Sequence, residues 1–195
     1  MYDAATGLWH ERTYLQQGNE VAHRAISHCF FNGMHLVGDR LSGMVYQMES
    51  PQFSNGAWLY ADDNGVPIKR VRRAPHISSE QEWIYHYQMQ IDAETGLGPL
   101  PPLPGPSGPR DPKLMLRWSD DGGHTWSQER TMPLGKIGEY KTRAIYRRMG
   151  RSRDRVCEIS CSDPIPIRVI DSYLDASPGF QKPTERLVAQ LRKGA

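Results

Sequence analysis

The sequence predicts an all-β protein: a partial β-propeller-like meander followed by an antiparallel β-sandwich or barrel. Three observations carry that expectation. Residues Ser119-Asp120-Asp121-Gly122-Gly123-His124-Thr125-Trp126 read Ser-x-Asp-x-Gly-x-Thr-Trp, the pattern called an Asp-box. Its glycines supply the positive φ of a tight hairpin turn. Gly and Pro, 18 and 15 of the 195 residues, favour many turns and short strands over helices. Short apolar or alternating segments recur between turn dipeptides, the mark of antiparallel strands.

Met1-Tyr2-Asp3 and Leu8–Arg12 flank a turn at Ala5-Thr6-Gly7, giving a strand–turn–strand, and a polar link follows. Residues 25–31, Ala-Ile-Ser-His-Cys-Phe-Phe, form a strand that ends at Asn32-Gly33, a strong hairpin signal. Met34–Asp39 returns, Ser42-Gly43 turns, and Met44–Met48 adds a third strand. Residues 1–50 therefore read as a blade-like β-meander. One blade cannot bury its faces alone, since known propellers use about four or more. Residues 51–80 read as a connector, punctuated by Asn55-Gly56, Asp62-Asp63-Asn64-Gly65, Pro67 and Pro75.

Residues 81–178 form the expected sandwich. Trp83–Ile91 is a long strand rich in aromatic and β-branched residues. Residues 99–112 hold seven prolines in fourteen and form an extended loop. Leu114–Trp118 enters the Asp-box, and Thr125–Ser127 leaves it on a strand in which Trp126 is a buried anchor. Tyr140–Met149, Arg155–Ser162 and Pro164–Leu174 complete the sheets. Residues 179–195 are a tail with a short helix over 183–193, capped by Thr184.

In the Asp-box, Ser119, Asp121, Gly123, Thr125 and Trp126 are structural residues. Asp121 and Thr125 are side chains that hydrogen-bond back onto turn amides. Asp-boxes occur in sialidases, but that chemistry needs an arginine cluster and an activated tyrosine converged by several blades. The seven histidines lack metal spacing, and no phosphate loop or Gly-x-Ser-x-Gly elbow is present. Asp92, Glu94, Asp120 and Asp121 do not follow an EF-hand pattern. No catalytic residue, metal site or cofactor is expected. No run nears the ~18 apolar residues of a membrane helix, and Met1-Tyr2-Asp3-Ala4 does not open a secretory signal. Cys29, Cys157 and Cys161 read as free, core-facing thiols, the last two on one strand face about 13 Å apart.

The strongest charge feature is the row from Lys141 to Arg155, with Arg143, Arg147 and Arg148 as interaction candidates; Arg70, Arg72 and Arg73 form a second cluster. Such rows serve nucleic acid or ion pairs between subunits. The net charge of +2 favours the second. An Asp-box also leaves open a carbohydrate-binding or glycosidase-derived module, with Trp9, Trp58 or Trp83 lining a cleft.

Met115–Ser127, Gly135–Tyr140, Arg147–Val156 and Ser162-Asp163-Pro164 together resemble the C-terminal region of the tail-hub proteins of short-tailed bacteriophages, also described as packaged-DNA stabilization proteins or tail nozzles. Upstream, Tyr2–Trp9, His35–Asp39 with Ser42-Gly43, and Arg70–His76 resemble the same family in the same order. The resemblance implies a structural virion protein made in the bacterial host cytoplasm. It would sit below the portal and its adaptor ring and touch other tail proteins. It would form a hexameric ring, carry no membrane anchor, and meet double-stranded DNA transiently in its lumen. The resembling proteins are much longer, so the chain is expected to be a fragment, a split-gene product or a prophage remnant.

Overall fold

A computed structural model describes residues 2–4, 7–48, 53–54, 57–58, 62–63, 66–80, 82–97 and 110–179. The expected tail helix over 183–193, and the Pro-rich loop apart from Arg110–Pro112, lie outside the described residues. The described chain is all-β, in several antiparallel sheets. It divides into two compact units, one centred on Met1–Lys69, which also takes Ser162–Pro166, and one beginning at Arg70.

In the first unit, β1 (Tyr2–Asp3) pairs with β2 (Leu8–Trp9). A hairpin of β3 (Thr13–Gln16) and β4 (Asn19–Ala22) occupies what the sequence suggested was a polar link. Its turn residues Gln17 and Gly18 both have positive φ, 50° and 84°, the pairing a type I′ turn requires. The meander follows as expected, with β5 (Ala25–Phe31), β6 (Met34–Asp39) and β7 (Val45–Met48) in order β5-β6-β7. Asn32 and Gly33 turn its first hairpin at φ 49° and 78°. Two short hairpins follow, β8 (Phe53–Ser54) with β9 (Ala57–Trp58) and β10 (Asp62–Asp63) with β11 (Val66–Pro67).

The meander is pinned by a polar residue rather than by a core. Asp39, 6% exposed, takes an ion pair from Arg24 and hydrogen bonds from Ser42 Oγ (2.5 Å) and the Leu41 amide (2.9 Å). The Arg24 and Ser42 hydrogen bonds hold its carboxyl well below the usual range. Ile26, Phe30, Phe31, Met44 and Val45 are exposed, and so is Cys29, which the sequence placed in a core. Among the described residues nothing buries these side chains.

In the second unit, β12 (Arg70–Arg73), β13 (Ile77–Ser78), β15 (Lys113–Ser119), β16 (Arg130–Pro133) and β18 (Asp154–Cys161) build a five-stranded sheet. Its order is β12-β18-β15-β16, with β13 also on β18. A second sheet has order β17-β14-β19, from β14 (Ile84–Ala93), β17 (Ala144–Ser152) and β19 (Val169–Pro178). The connector expected over 51–80 therefore ends early: Arg70–Arg73 register against Cys161–Glu158 and belong to the sandwich. β19 also starts later than the expected Pro164, because Asp163–Ile165 form a turn, with the Ile165 amide donating to the Asp163 carbonyl at 2.8 Å.

Only Arg153 separates β17 from β18, so the chain passes from one sheet to the other at a sharp corner. Ile84, His86, Met89 and Ile91 of β14 and Ala144, Tyr146, Met149 and Ser152 of β17 are buried, as are Leu114, Leu116, Cys157 and Cys161. Tyr146 Oη donates to the Leu114 carbonyl (2.8 Å) and so ties the two sheets together. Burial pushes its hydroxyl pKa up, and pushes the Cys157 thiol up to about 11. β18 alternates as the sequence suggested, yet almost every residue in it is buried because strands flank it on both sides.

Candidate functional site

The Asp-box closes on itself. Ser119 Oγ donates to Asp121 (2.6 Å) and accepts from the Gly123 amide (2.8 Å). The Thr125 amide and hydroxyl donate to Asp121 at 2.8 and 2.6 Å. These bonds hold the Asp121 carboxyl well below the usual range, the Ser119 bond foremost. Gly122 and Gly123 stand at φ 73° and 100°, where other residues are strained. The Asp121 carboxylate is thus engaged by the turn itself.

Two of the expected details change. Thr125–Ser127 is not a strand; the return strand is β16, beginning at Arg130. Trp126 does not anchor the core. It is half-buried under the guanidinium groups of Arg117 and Arg73, 4.6 and 5.2 Å from its ring. Those arginines have their own task, since Arg73 and Arg117 clasp the fully buried Glu158 carboxylate at 2.6 and 2.5 Å. Burial alone would raise the Glu158 pKa; the two arginines outweigh it and the net shift is downward.

The interaction candidates thus separate. Arg73 is a structural partner. Arg70, on the inner side of β12, donates to Cys161 Sγ at 3.7 Å. Arg72 is exposed at the edge of a cleft between β12 and β19, above Met89, Ile91 and Ile159. Arg155, the last of the basic row, is buried beside Trp118. It grips Asp120 with two bonds (2.6 and 2.8 Å) and donates to the Met149 carbonyl at 2.7 Å. The sequence hint for that role was available: Asp120 needs no partner inside the Asp-box, and an arginine stands on the neighbouring strand.

Arg147 and Arg148 come together at a β-bulge. His86 pairs with Gly150 and Gln88 with Arg147, so Arg148 and Met149 stand opposite Tyr87 alone. Arg148 sits at φ 57° and Gly150 at 78°. The bulge opens a shallow concavity of about 640 Å³, lined by Tyr85, Tyr87, Arg147, Arg148, Arg151 and Asp175, with His86 at its wall. Arg143 precedes β17 and does not line it. Arg151 and Arg153 flank the Trp83 ring at 4.6 and 4.9 Å. Sequence reasoning missed the bulge, although Gly150 within a strand is its usual signal.

The buried pair of His86 Nε2 and Ser152 Oγ, 2.9 Å apart, has the spacing of a base and a nucleophile. Both residues are only 2% exposed, and His86 Nδ1 has no orienting partner. Burial, then the nearby Arg155 charge, lowers the His86 pKa and keeps it neutral. The pair joins β14 to β17 inside the core. Among the described residues no three His, Cys, Asp or Glu are grouped to hold a metal. Trp9 packs on Tyr2, 5.2 Å between rings, and stays exposed, and Arg151 stands over the partly exposed Trp83 ring at 4.6 Å; the Trp58 side chain lies outside the description.

A protein-family model described as "Bacteriophage P22 Gp10, beta-sandwich" matches residues 69–177, more than half of the chain and the whole span from β12 nearly to the end of β19. No curated protein matches the chain.

Proposed function

The chain belongs to the bacteriophage P22 Gp10 β-sandwich family, a structural component of the phage tail, and from that premise we propose that it is built into a tail hub. In this reading copies of the chain form a hexameric ring below the portal and its adaptor. The ring meets other tail proteins, helps retain packaged DNA, and forms part of the channel for ejection.

One observation supports assembly most directly. The meander leaves Ile26, Phe30, Phe31 and Val45 exposed on a single layer, with Phe31 at 68%. An apolar surface of that kind marks a contact with other protein. Native mass spectrometry of the purified chain tests the ring: a hexamer is expected, and a stable monomer at micromolar concentration would overturn it.

A further inference from the structure

We infer that the bulge between β14 and β17 is a binding site for the phosphate oxyanions of a nucleic-acid backbone, held by Arg147, Arg148 and Arg151. The inference rests on the proposed role of the chain in retaining packaged DNA, and it says where this chain meets that DNA.

The bulge arranges the three side chains. Along a regular strand Arg147 and Arg148 would point to opposite faces, and one of them would enter the core. The extra residue and the left-handed backbone of Arg148 break the alternation. Both arginines are exposed, while Tyr146 and Met149 on either side remain buried. A non-glycine residue at positive φ is uncommon, and such sites cluster where a side chain must be re-aimed. Arg151 is steadied against Trp83 on the same side.

The charges at the bulge are unanswered. Arg24, Arg73, Arg117 and Arg155 each hold a carboxylate. Among the described residues Arg147, Arg148 and Arg151 hold none, and Asp175 is the single acid lining the concavity. Three planar guanidinium forks make a donor-only set, which suits phosphate oxygens. Tyr85 and Tyr87 flank it with hydroxyls that complement a sugar–phosphate chain.

The test uses the full chain and a fluorescent, mixed-sequence DNA duplex, with anisotropy followed over a salt series. The unaltered protein binds at low salt with a steep salt slope. The double variant Arg147→Gln, Arg148→Gly binds about tenfold more weakly, and its slope is shallower by about one for each phosphate no longer neutralised. Glycine accepts the left-handed backbone at 148, so this variant keeps the fold; a thermal melt verifies it. Lys136→Gln removes a charge outside the concavity and leaves binding unchanged. In the unaltered protein, bound duplex shields Arg147, Arg148 and Arg151 from phenylglyoxal, a readout that needs no variant. Unchanged binding or no shielding overturns the site, while the tail reading stands or falls on native mass. Equal affinity for inorganic phosphate would make the ligand a free anion, and displacement by polyglutamate as effective as by duplex would make it an acidic protein. Either result overturns the backbone assignment.

Discussion

The meander and the sandwich are both antiparallel β, yet they treat apolar side chains in opposite ways. The sandwich buries Leu114, Leu116, Met89, Ile91 and Tyr146 between two sheets. The meander exposes Phe30, Phe31, Ile26 and Val45, and among the described residues its buried side chain is the carboxylate Asp39. The sandwich thus carries a buried core of its own, and the described part of the meander does not. Sequence alone does not distinguish them, because both carry comparable hydrophobic content in strands. The difference lies in whether a second sheet packs over the strands, as it does in the sandwich.

The largest effect should come from the sandwich core. Leu116→Ala removes a fully buried side chain and should cost about 3 kcal/mol, read as a drop in the urea midpoint. A small loss would mean the sandwich is less self-sufficient than its packing implies. Next is the buried carboxylate: Arg117→Leu leaves Glu158 with Arg73 alone and should cost about 2 kcal/mol.

Acid should act on the same groups. The folded-state pKa values of Glu158, Asp121 and Asp39 all lie below their unfolded ones. Their contribution is therefore complete above the ordinary carboxylate range and lost as pH falls through the folded values. Midpoints measured at falling pH should decline for the unaltered protein. They should decline less in Glu158→Gln, measured relative to that variant's own neutral value.

Trp126→Ala should cost about 1 kcal/mol, the scale of a partly exposed cation–π contact rather than of a core ring. A loss matching Leu116→Ala would restore the buried-anchor reading of the Asp-box. The smallest effect should be that of Phe31→Ala, within about 0.5 kcal/mol by urea for the isolated chain. The same change should weaken assembly measured by native mass. A large loss of urea stability would break the contrast between the two regions.

The strands were legible where turn chemistry and alternation agreed, as at Asn32-Gly33 and through β14, β15 and β18. They were hidden where pairing decided the outcome. Arg70–Arg73 looks like a charged connector because its partner, Cys161–Glu158, lies far along the chain. The interaction candidates were legible as arginines and not as roles. Arg73 and Arg155 belong to ion pairs set by burial, whereas Arg147 and Arg148 are set free by a bulge, and spacing along one strand reports neither. The Asp-box was readable in its hydrogen bonds and not in where Trp126 points, since Arg73 comes from the distant β12 and Arg117 from β15 before the turn.

Arg155 and Arg130 reach the outer rim of β17, donating to the carbonyls of Met149 and Arg147 at 2.7 and 2.6 Å. An unpaired strand rim is an invitation to accretion, one copy adding to the next until fibrils form. Here two of the acceptors such growth would need are already occupied from within the molecule. Removing Arg130 would reopen one of them, and the hazard it guards against is insolubility rather than unfolding. A rim closed in this way limits the addition of a further strand along β17.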